Sequence, residues 1–351
     1  MTDRETLILA IDTSCDDTSA AVVKSGREIL SNVVSSQAKI HSRFGGIVPE
    51  LASRSHIVMI WPVVTEALEI AGVTPEDLSG IAVCIGPGLV GSLLVGCCFA
   101  KALSYAKGIP LLGINHIEGH IYSAFLCEQA PPYPFLSLVV SGGHTILIRV
   151  DAFARYREIG STRDDAAGEA YDKVAKLLGL GYPGGPAIDS LSGKGNPEAI
   201  RLPRPLLTKG YDFSFSGLKT AVRNVTAKLR ENNSLNEETV KDICASFQRA
   251  VVDVLVKKTI AALKKEGLRG LTISGGVSAN RELREFFKNM CESSGITLYL
   301  PPRELCTDNA AMIAASGHLH LLMGNLATLD LNARAYLPIC SKNDESNMPG
   351  S

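Results

Sequence analysis

The chain has 351 residues, 46% of them hydrophobic and 20% charged, with a formal net charge of −1. This length suits two domains of ordinary size, the composition excludes a wholly disordered chain, and the near-zero charge gives no bulk basicity that would announce nucleic acid. Nine cysteines with no C-x-x-C pair exclude a disulfide framework and a zinc ribbon, and reduced, cytosolic thiols are expected.

Residues 1–6 are polar and lack the apolar core of a signal peptide. Residues 7–11 read as a buried strand ended by Asp12-Thr13-Ser14, followed by strands over 18–23 and 29–35 in an antiparallel meander. An Asp at a strand end beside hydroxyls suits phosphates or their metal, although Asp and Ser also make ordinary turns. Helical spacing runs through 49–71. Residues 78–100 carry no charge, which raises a membrane question; Pro87 and the glycines at 86, 88, 91 and 96 divide the stretch into strand, turn and helix, so no span is expected. A strand over 111–114 then leads into Asn115-His116-Ile117-Glu118-Gly119-His120. Histidines four apart lie on one helix face and can grip a divalent cation if a third ligand arrives from elsewhere. The bland alternative is one capping and one packing histidine. A metalloprotease would need H-E-x-x-H, and Glu118 is misplaced for it.

The order βββαβαβα then repeats. Strands are expected over 135–140, 144–150 and 156–160, and helix over 166–178. An irregular insertion from 179 to about 236 follows. Helix 239–265, strand 271–274, helix 280–292, strand 297–300 and helix 309–322 complete the second copy. An internal duplication of this kind predicts two α/β lobes, 1–130 and 131–340, with 341–351 as a disordered tail. Ligands of open α/β sheets bind beyond strand ends, so Asp12 and Ser141-Gly142-Gly143 are expected to border a nucleotide cleft between the lobes. The pattern looks like the actin/Hsp70/sugar-kinase (ASKHA) architecture, built on RNase H-like lobes.

Six motifs occur in order: Asn115 to His120; Ser141-Gly142-Gly143-His144-Thr145; Asp164-Asp165-Ala166-Ala167-Gly168-Glu169-Ala170-Tyr171-Asp172-Lys173; Tyr182-Pro183-Gly184-Gly185-Pro186; Phe213-Ser214-Phe215-Ser216-Gly217-Leu218-Lys219; and Gly275-Gly276-Val277-Ser278-Ala279-Asn280. Together they resemble the tRNA threonylcarbamoyltransferase family, called TsaD in bacteria and once misnamed O-sialoglycoprotease, and the likeness runs over residues 7–336. It implies transfer of a threonylcarbamoyl group from threonylcarbamoyl-AMP to N6 of the adenosine next to the anticodon (position 37) in tRNAs reading ANN codons, giving N6-threonylcarbamoyladenosine and AMP.

By the same resemblance His116, His120 and Asp308 are ligands of one divalent metal ion, iron by family usage and zinc as the other choice; Asp308 alone would read as a helix N-cap. Val139, Val140, Ser141, Gly142 and Gly143 would lie along the phosphate and threonylcarbamoyl moiety. Asp172 and Asp189 would take ribose hydroxyls, Gly185 would give backbone access, and Asn280 would reach the adenosine side. Taken singly, Asp172 could be a surface charge and Gly185 a turn glycine. Asp12 is the catalytic candidate, for organising the reacting amine or a water, as base or as electrostatic group. Many family members read Glu-Thr-Ser where this chain has Asp12-Thr13-Ser14, which puts the reach of that carboxylate in question. The implied partners are tRNA, a smaller paralogue (TsaB-like) and an ATPase (TsaE-like), in the cytoplasm and without membrane. Lys194, Arg201, Arg204, Lys209, Lys219, Arg223, Lys228 and Arg230 stand against Glu198 and Asp212 in one stretch, which on charge alone reads as an ordinary solvated face and by the resemblance is expected to face tRNA. The rival readings are a small-molecule kinase of the same fold, which has no use for the histidines, and a non-catalytic nucleotide-binding scaffold.

Overall fold

The computed structural model describes residues 5–340, so the tail expected over 341–351 lies outside the described residues. The chain divides into two compact units. One takes the chain up to Ala130 and again from Asp308 onward, and the other takes Pro131–Thr307.

The first unit is built on strands β1 (Leu7–Asp12), β2 (Asp17–Lys24), β3 (Glu28–Ser36), β4 (Gly80–Gly86) and β5 (Leu111–Asn115), in the order β3-β2-β1-β4-β5. The first three pair antiparallel, while β4 and β5 run parallel to β1. Its helices are α1 (Ala38–His41), α2 (Pro49–Ala71), α3 (Val90–Lys107) and α4 (His116–Tyr122). Burial is nearly continuous along β1, β2 and β4 because helices cover both faces. Alternate residues divide the work. Leu9, Ile11, Ala20, Val22, Ile81 and Val83 pack with Ile60, Val63, Val64, Cys97 and Ala100 of α2 and α3. The uncharged stretch 78–100 resolves into β4 and α3, and no helix among the described residues is long and apolar enough to cross a membrane.

The second unit repeats the plan. Strands β6 (Phe135–Val140), β7 (Thr145–Ala152), β8 (Arg155–Ser161), β9 (Gly270–Ser274) and β10 (Thr297–Tyr299) lie in the order β10-β9-β6-β7-β8, again three antiparallel strands and two parallel additions. Helices α5 (Ala167–Leu178), α6 (Gly184–Ser192), α7 (Ser216–Glu231), α8 (Glu237–Glu266) and α9 (Arg281–Ser294) complete it.

Two expectations need correction. The segment 179–236 is not irregular throughout, since it contains α6 and α7. Leu218, Val222 and Thr226, four residues apart, form the buried stripe of α7. The lobe expected over 131–340 also ends too late. The last helix, α10 (Ala310–Leu322), packs against β1, β2, β4 and α4 of the first unit. Its face of small residues explains this: a Cβ added at Gly317 would stand 2.7 Å from the Cβ of Ala82, so only glycine lets α10 lie this close to β4.

Candidate metal centre

β5 ends at Asn115, whose side-chain oxygen accepts from the Ile117 N–H (2.8 Å) and from the Glu118 N–H (3.4 Å). This N-cap starts α4 at His116 and so puts His116 and His120 one turn apart on one face. Their rings lie edge to face with centroids 4.7 Å apart. Gly119, between them, is where α10 crosses: a Cβ there would meet Ile313 Cδ1 at 2.8 Å. The close crossing brings the start of α10 beside the histidines. Asn309 caps that helix by accepting from the Met312 N–H (3.2 Å). The cap that Asp308 taken alone would suggest is thus supplied by its neighbour, and the Asp308 carboxylate is left for the histidines.

Asp308 Oδ1 lies 3.2 Å from His120 Nε2 and 3.5 Å from His116 Nε2. Three ligands at bond lengths of about 2.0–2.2 Å from one ion stand roughly 3.0–3.5 Å from each other, so this spacing fits a metal ion between them. A further sign is that both ring nitrogens of His120 are buried without a hydrogen bond of good geometry, Nε2 facing Asp308 at 3.2 Å. Burial works against a charged His116, but the carboxylates of Asp308 and Asp12 outweigh it and hold the imidazole well above its ordinary pKa. Burial wins at His120, which is pulled down. Burial would raise Asp308, yet His116 beside it holds the carboxylate well below the usual range. Burial also pushes Asp17 up to about 7, against a hydrogen bond from Ser36 and with Asp16, Asp308 and Asp12 adding repulsion. The pocket therefore gathers carboxylates and imidazoles that favour a cation.

Asp12 closes the β1 end of this site. Its Oδ2 lies 3.4 Å from His116 Nδ1, and its Oδ1 accepts from the Ser14 N–H at 2.9 Å. With Cys84 of β4, Asp12 and His116 form a second buried trio, its ligand atoms within 4.8 Å of one another.

Glu118 turns away from the histidine face, as its spacing predicts, and into the α10 packing. Its Oε1 accepts from Ser316 Oγ (2.5 Å) and lies 2.8 Å from His320 Nε2. Substituting Glu118→Ala leaves the Ser316 hydroxyl buried without that acceptor and is expected to cost about 1–3 kcal/mol. A lowered thermal transition with the metal stoichiometry retained would check it.

In the second unit the parallel pairing of β6 and β9 places Ser141-Gly142-Gly143 and Gly275-Gly276 side by side at the carboxyl ends of adjacent strands. The side chains of Val139 and Val140 are fully buried, so only their backbone can serve a ligand. The N-terminus of α5 docks on the same turn, the Gly168 N–H donating to Ser141 O at 3.1 Å. Gly142 and Gly143 are exposed, with open space where a Cβ would stand. Asp172 Oδ1 accepts from the Gly184 N–H (2.8 Å) at the start of α6, one residue before Gly185. Asp189 and Asn280 fall into one network. Asp189 Oδ1 accepts from Asn280 Nδ2 (3.1 Å) and Gln248 Nε2 (3.2 Å), and its Oδ2 accepts from Arg281 Nε (2.9 Å). Sequence reading missed Gln248, Arg281, Cys84 and the Glu118–Ser316–His320 clamp. None of them has a local pattern that marks it, because each acquires its partners only through tertiary packing.

Two sheets of one order, each a three-stranded meander extended by two parallel strands, define a duplicated α/β protein of the actin/Hsp70/sugar-kinase class. Solved structures share this fold: the HypF protein of T. kodakarensis has a TM-score of 0.62 at 14% identity over 93% of this chain and 49% of its own. Component A of the (R)-2-hydroxyglutaryl-CoA dehydratase of Acidaminococcus fermentans has a TM-score of 0.53 at 15% identity over 91% of this chain and 99% of its own. The chain belongs to the TsaD family, tRNA N6-adenosine threonylcarbamoyltransferase, whose profile matches residues 28–315. Proteins of that name from Thermodesulfovibrio yellowstonii and Trichlorobacter lovleyi are 59% and 54% identical to it, each over 95% of this chain and over 100% and 97% of their own lengths.

Proposed function

We propose that this acyltransferase moves the threonylcarbamoyl group of threonylcarbamoyl-AMP onto N6 of adenosine 37, next to the anticodon, in tRNAs reading ANN codons, with AMP released. Modification of tRNA at adenosine N6 follows from family membership. The observation that carries the reading to this chain is the meeting of His116, His120 and Asp308 at ligand spacing. A kinase has no use for them and a scaffold need not keep them, so neither rival is favoured.

The chemistry asks for such a site. The exocyclic amine of adenine is a weak nucleophile because its lone pair is delocalised into the ring. It needs a donor with a good leaving group, as a mixed anhydride with AMP is, and a site that holds both reactants in register. The ion, iron by family usage or zinc, would be held by His116, His120 and Asp308, and when bound it supplies Lewis-acid stabilisation of substrate oxygens. The backbone of Val139, Val140, Ser141, Gly142 and Gly143 would accept the phosphate and threonylcarbamoyl group. The open space at Gly142 and Gly143 supports an unobstructed anion approach. Asp172 and Asp189 would bind the ribose hydroxyls, Gly185 would let the backbone come close, and Asn280, within the Asp189 network, would border the adenosine. The reading is tested with purified protein, unmodified tRNA and threonylcarbamoyl-AMP, with metal and partner proteins added or withheld. Formation of modified adenosine supports it. If none forms with everything present, while ATP is consumed against a small hydroxylated substrate, the kinase reading replaces it.

A TsaB-like paralogue and a TsaE-like ATPase are the proposed protein partners, in the cytoplasm. The exposed residues Ile57, Val58 and Trp61 of α2 and Val90 and Leu94 of α3 support an apolar docking face. For tRNA, the basic stretch divides in two. Arg204 is committed to Asp253 through Nε (3.1 Å) and Nη2 (3.0 Å), whereas Arg201, Lys209, Arg223 and Lys228 are exposed. Reversing Arg201 and Arg223 to Glu is expected to weaken tRNA binding at fixed salt and to flatten its salt dependence by about one unit per lost phosphate contact. Arg204→Ala is expected to lower stability instead. Filter binding over a salt series separates the two outcomes.

A further inference from the structure

We propose that Asp12 is the positioning carboxylate of His116: it accepts the Nδ1–H and so fixes the tautomer whose Nε2 lone pair is turned toward His120 and Asp308. The proposal rests on the reading of those three side chains as metal ligands, and it gives Asp12 a role through His116 in place of direct contact with the reacting amine.

Asp12 and Asp308 address opposite nitrogens of one ring, Oδ2 lying 3.4 Å from Nδ1 and Oδ1 lying 3.5 Å from Nε2. Asp12 Oδ2 and His116 Nδ1 are both buried, and neither has a hydrogen-bond partner of good geometry. Two buried polar atoms that face each other satisfy each other's need once the proton sits on Nδ1. The carboxylate cannot swing away, because its other oxygen holds the Ser14 N–H at 2.9 Å and the Thr13 hydroxyl pins the same turn to Ser92 O at 2.8 Å. Asp12 is 1% exposed, and both of its carboxylate oxygens face groups of the protein, Oδ1 the Ser14 N–H and Oδ2 the His116 ring. Cys84 completes the buried trio with Asp12 and His116, so a second ion held there is the competing use of the same carboxylate, and the zinc stoichiometry separates the two. Ligating histidines generally donate their second nitrogen to such a group, and its loss weakens metal affinity by roughly 10–100-fold.

An asparagine at position 12 makes the sharp test. Aspartate accepts through both oxygens, whereas an amide accepts through one and donates through the other. If its oxygen keeps the Ser14 N–H, its NH2 faces Nδ1 and drives the ring proton onto Nε2, which blocks the ligand atom. If it flips, the Ser14 N–H loses its acceptor. Zinc affinity is measured by competition with a chromophoric chelator on the purified full chain, with circular dichroism as the control for folding. Asp12→Asn and Asp12→Ala are expected to bind zinc about 10–100-fold more weakly, while Asp12→Glu, which keeps two acceptors, restores most of the affinity. Long-range 15N–1H spectra of histidine-labelled, zinc-loaded wild type, with His116→Ala to assign the signal, are expected to show the proton on Nδ1 of His116.

Unchanged zinc affinity in folded Asp12→Asn and Asp12→Ala overturns the proposal, as does a proton on Nε2 in the wild type or a titration that ends at two zinc ions per chain. The wild-type spectrum decides the matter even where the variants fail to fold. If His116→Ala and His120→Ala leave zinc binding unchanged, the metal-centre reading itself fails, an outcome distinct from failure of the Asp12 role alone.

Discussion

Removing either imidazole, as His116→Ala or His120→Ala, is expected to strip the ion and to lower tRNA modification by at least about a thousandfold, more than loss of a supporting hydrogen bond costs. Among the described residues His116, His120 and Asp308 meet at ligand spacing, and the two histidines contribute the buried part, His120 being fully enclosed and His116 5% exposed. Alanine leaves a hole that a water can enter but from which no donor reaches Asp308. The remaining carboxylate and single imidazole are a pair common on protein surfaces and bind divalent ions weakly. The two variants are expected to fold, because α4 keeps its Asn115 cap and its Glu118 clamp to α10. Metal content by mass spectrometry and modified adenosine by nucleoside chromatography check the two halves of the prediction. Loss of modification with full metal content would move the histidines from ligation to some other task.

The part of this site legible in the sequence is the part held by local geometry. An i,i+4 histidine pair on a helix that opens after a strand needs no long-range information to be placed on one face. Duplication of βββαβαβα was legible for the same reason, since every strand and helix in it has its own periodicity. The third candidate ligand is a different matter. Asp308 lies far along the chain, and its spacing alone reads as an N-cap; the family resemblance named it, while physical reasoning did not. What releases it is Asn309, one residue on, whose side chain takes the capping role. Two adjacent residues both able to cap cannot be told apart without the backbone angles.

The assignment of α10 went astray through a similar limit. Chain order attached it to the second copy, where the repeat needs a final helix. Its surface decided otherwise. Alanines at 310, 311, 314 and 315 and Gly317 are buried in the first unit, Gly317 against Ala82 and Gly119 against Ile313. Small residues allow close approach, but to which partner they do not say. Asp308 reaches the histidines because this helix packs on the first unit's sheet, so the candidate metal centre depends on the feature that periodicity could not show. The helices within 179–236 were obscured by Gly184-Gly185-Pro186 at the start of α6 and by the basic residues that outnumber the apolar stripe of α7.

Gly275→Ala is expected to destabilise the protein by about 3 kcal/mol or more and to weaken AMP binding with it. Gly275 has φ +88° and ψ 155°, a combination open to glycine and costing other residues roughly 1–3 kcal/mol. Space makes it worse: an added Cβ would stand 2.4 Å from Val140 O and 2.6 Å from Val140 C, backbone atoms that cannot rotate aside. Relief requires the ends of β9 and β6 to part, and β6 runs directly into Ser141-Gly142-Gly143. A fault in packing would therefore be read as a fault in binding. Two other glycines separate the causes. Gly295, at the C-terminus of α9, has φ +64° with nothing within 4 Å, so Gly295→Ala is expected to cost about 1–2 kcal/mol and to leave AMP affinity unchanged. Gly142→Ala meets open space and is expected to fold normally while its methyl group obstructs the phosphate. Thermal unfolding and AMP titration on the three variants then give three distinct pairs of results. If Gly142→Ala binds AMP like the wild type and Gly275→Ala does not, the strand ends support the nucleotide only through their spacing, and the phosphate lies elsewhere than on this turn.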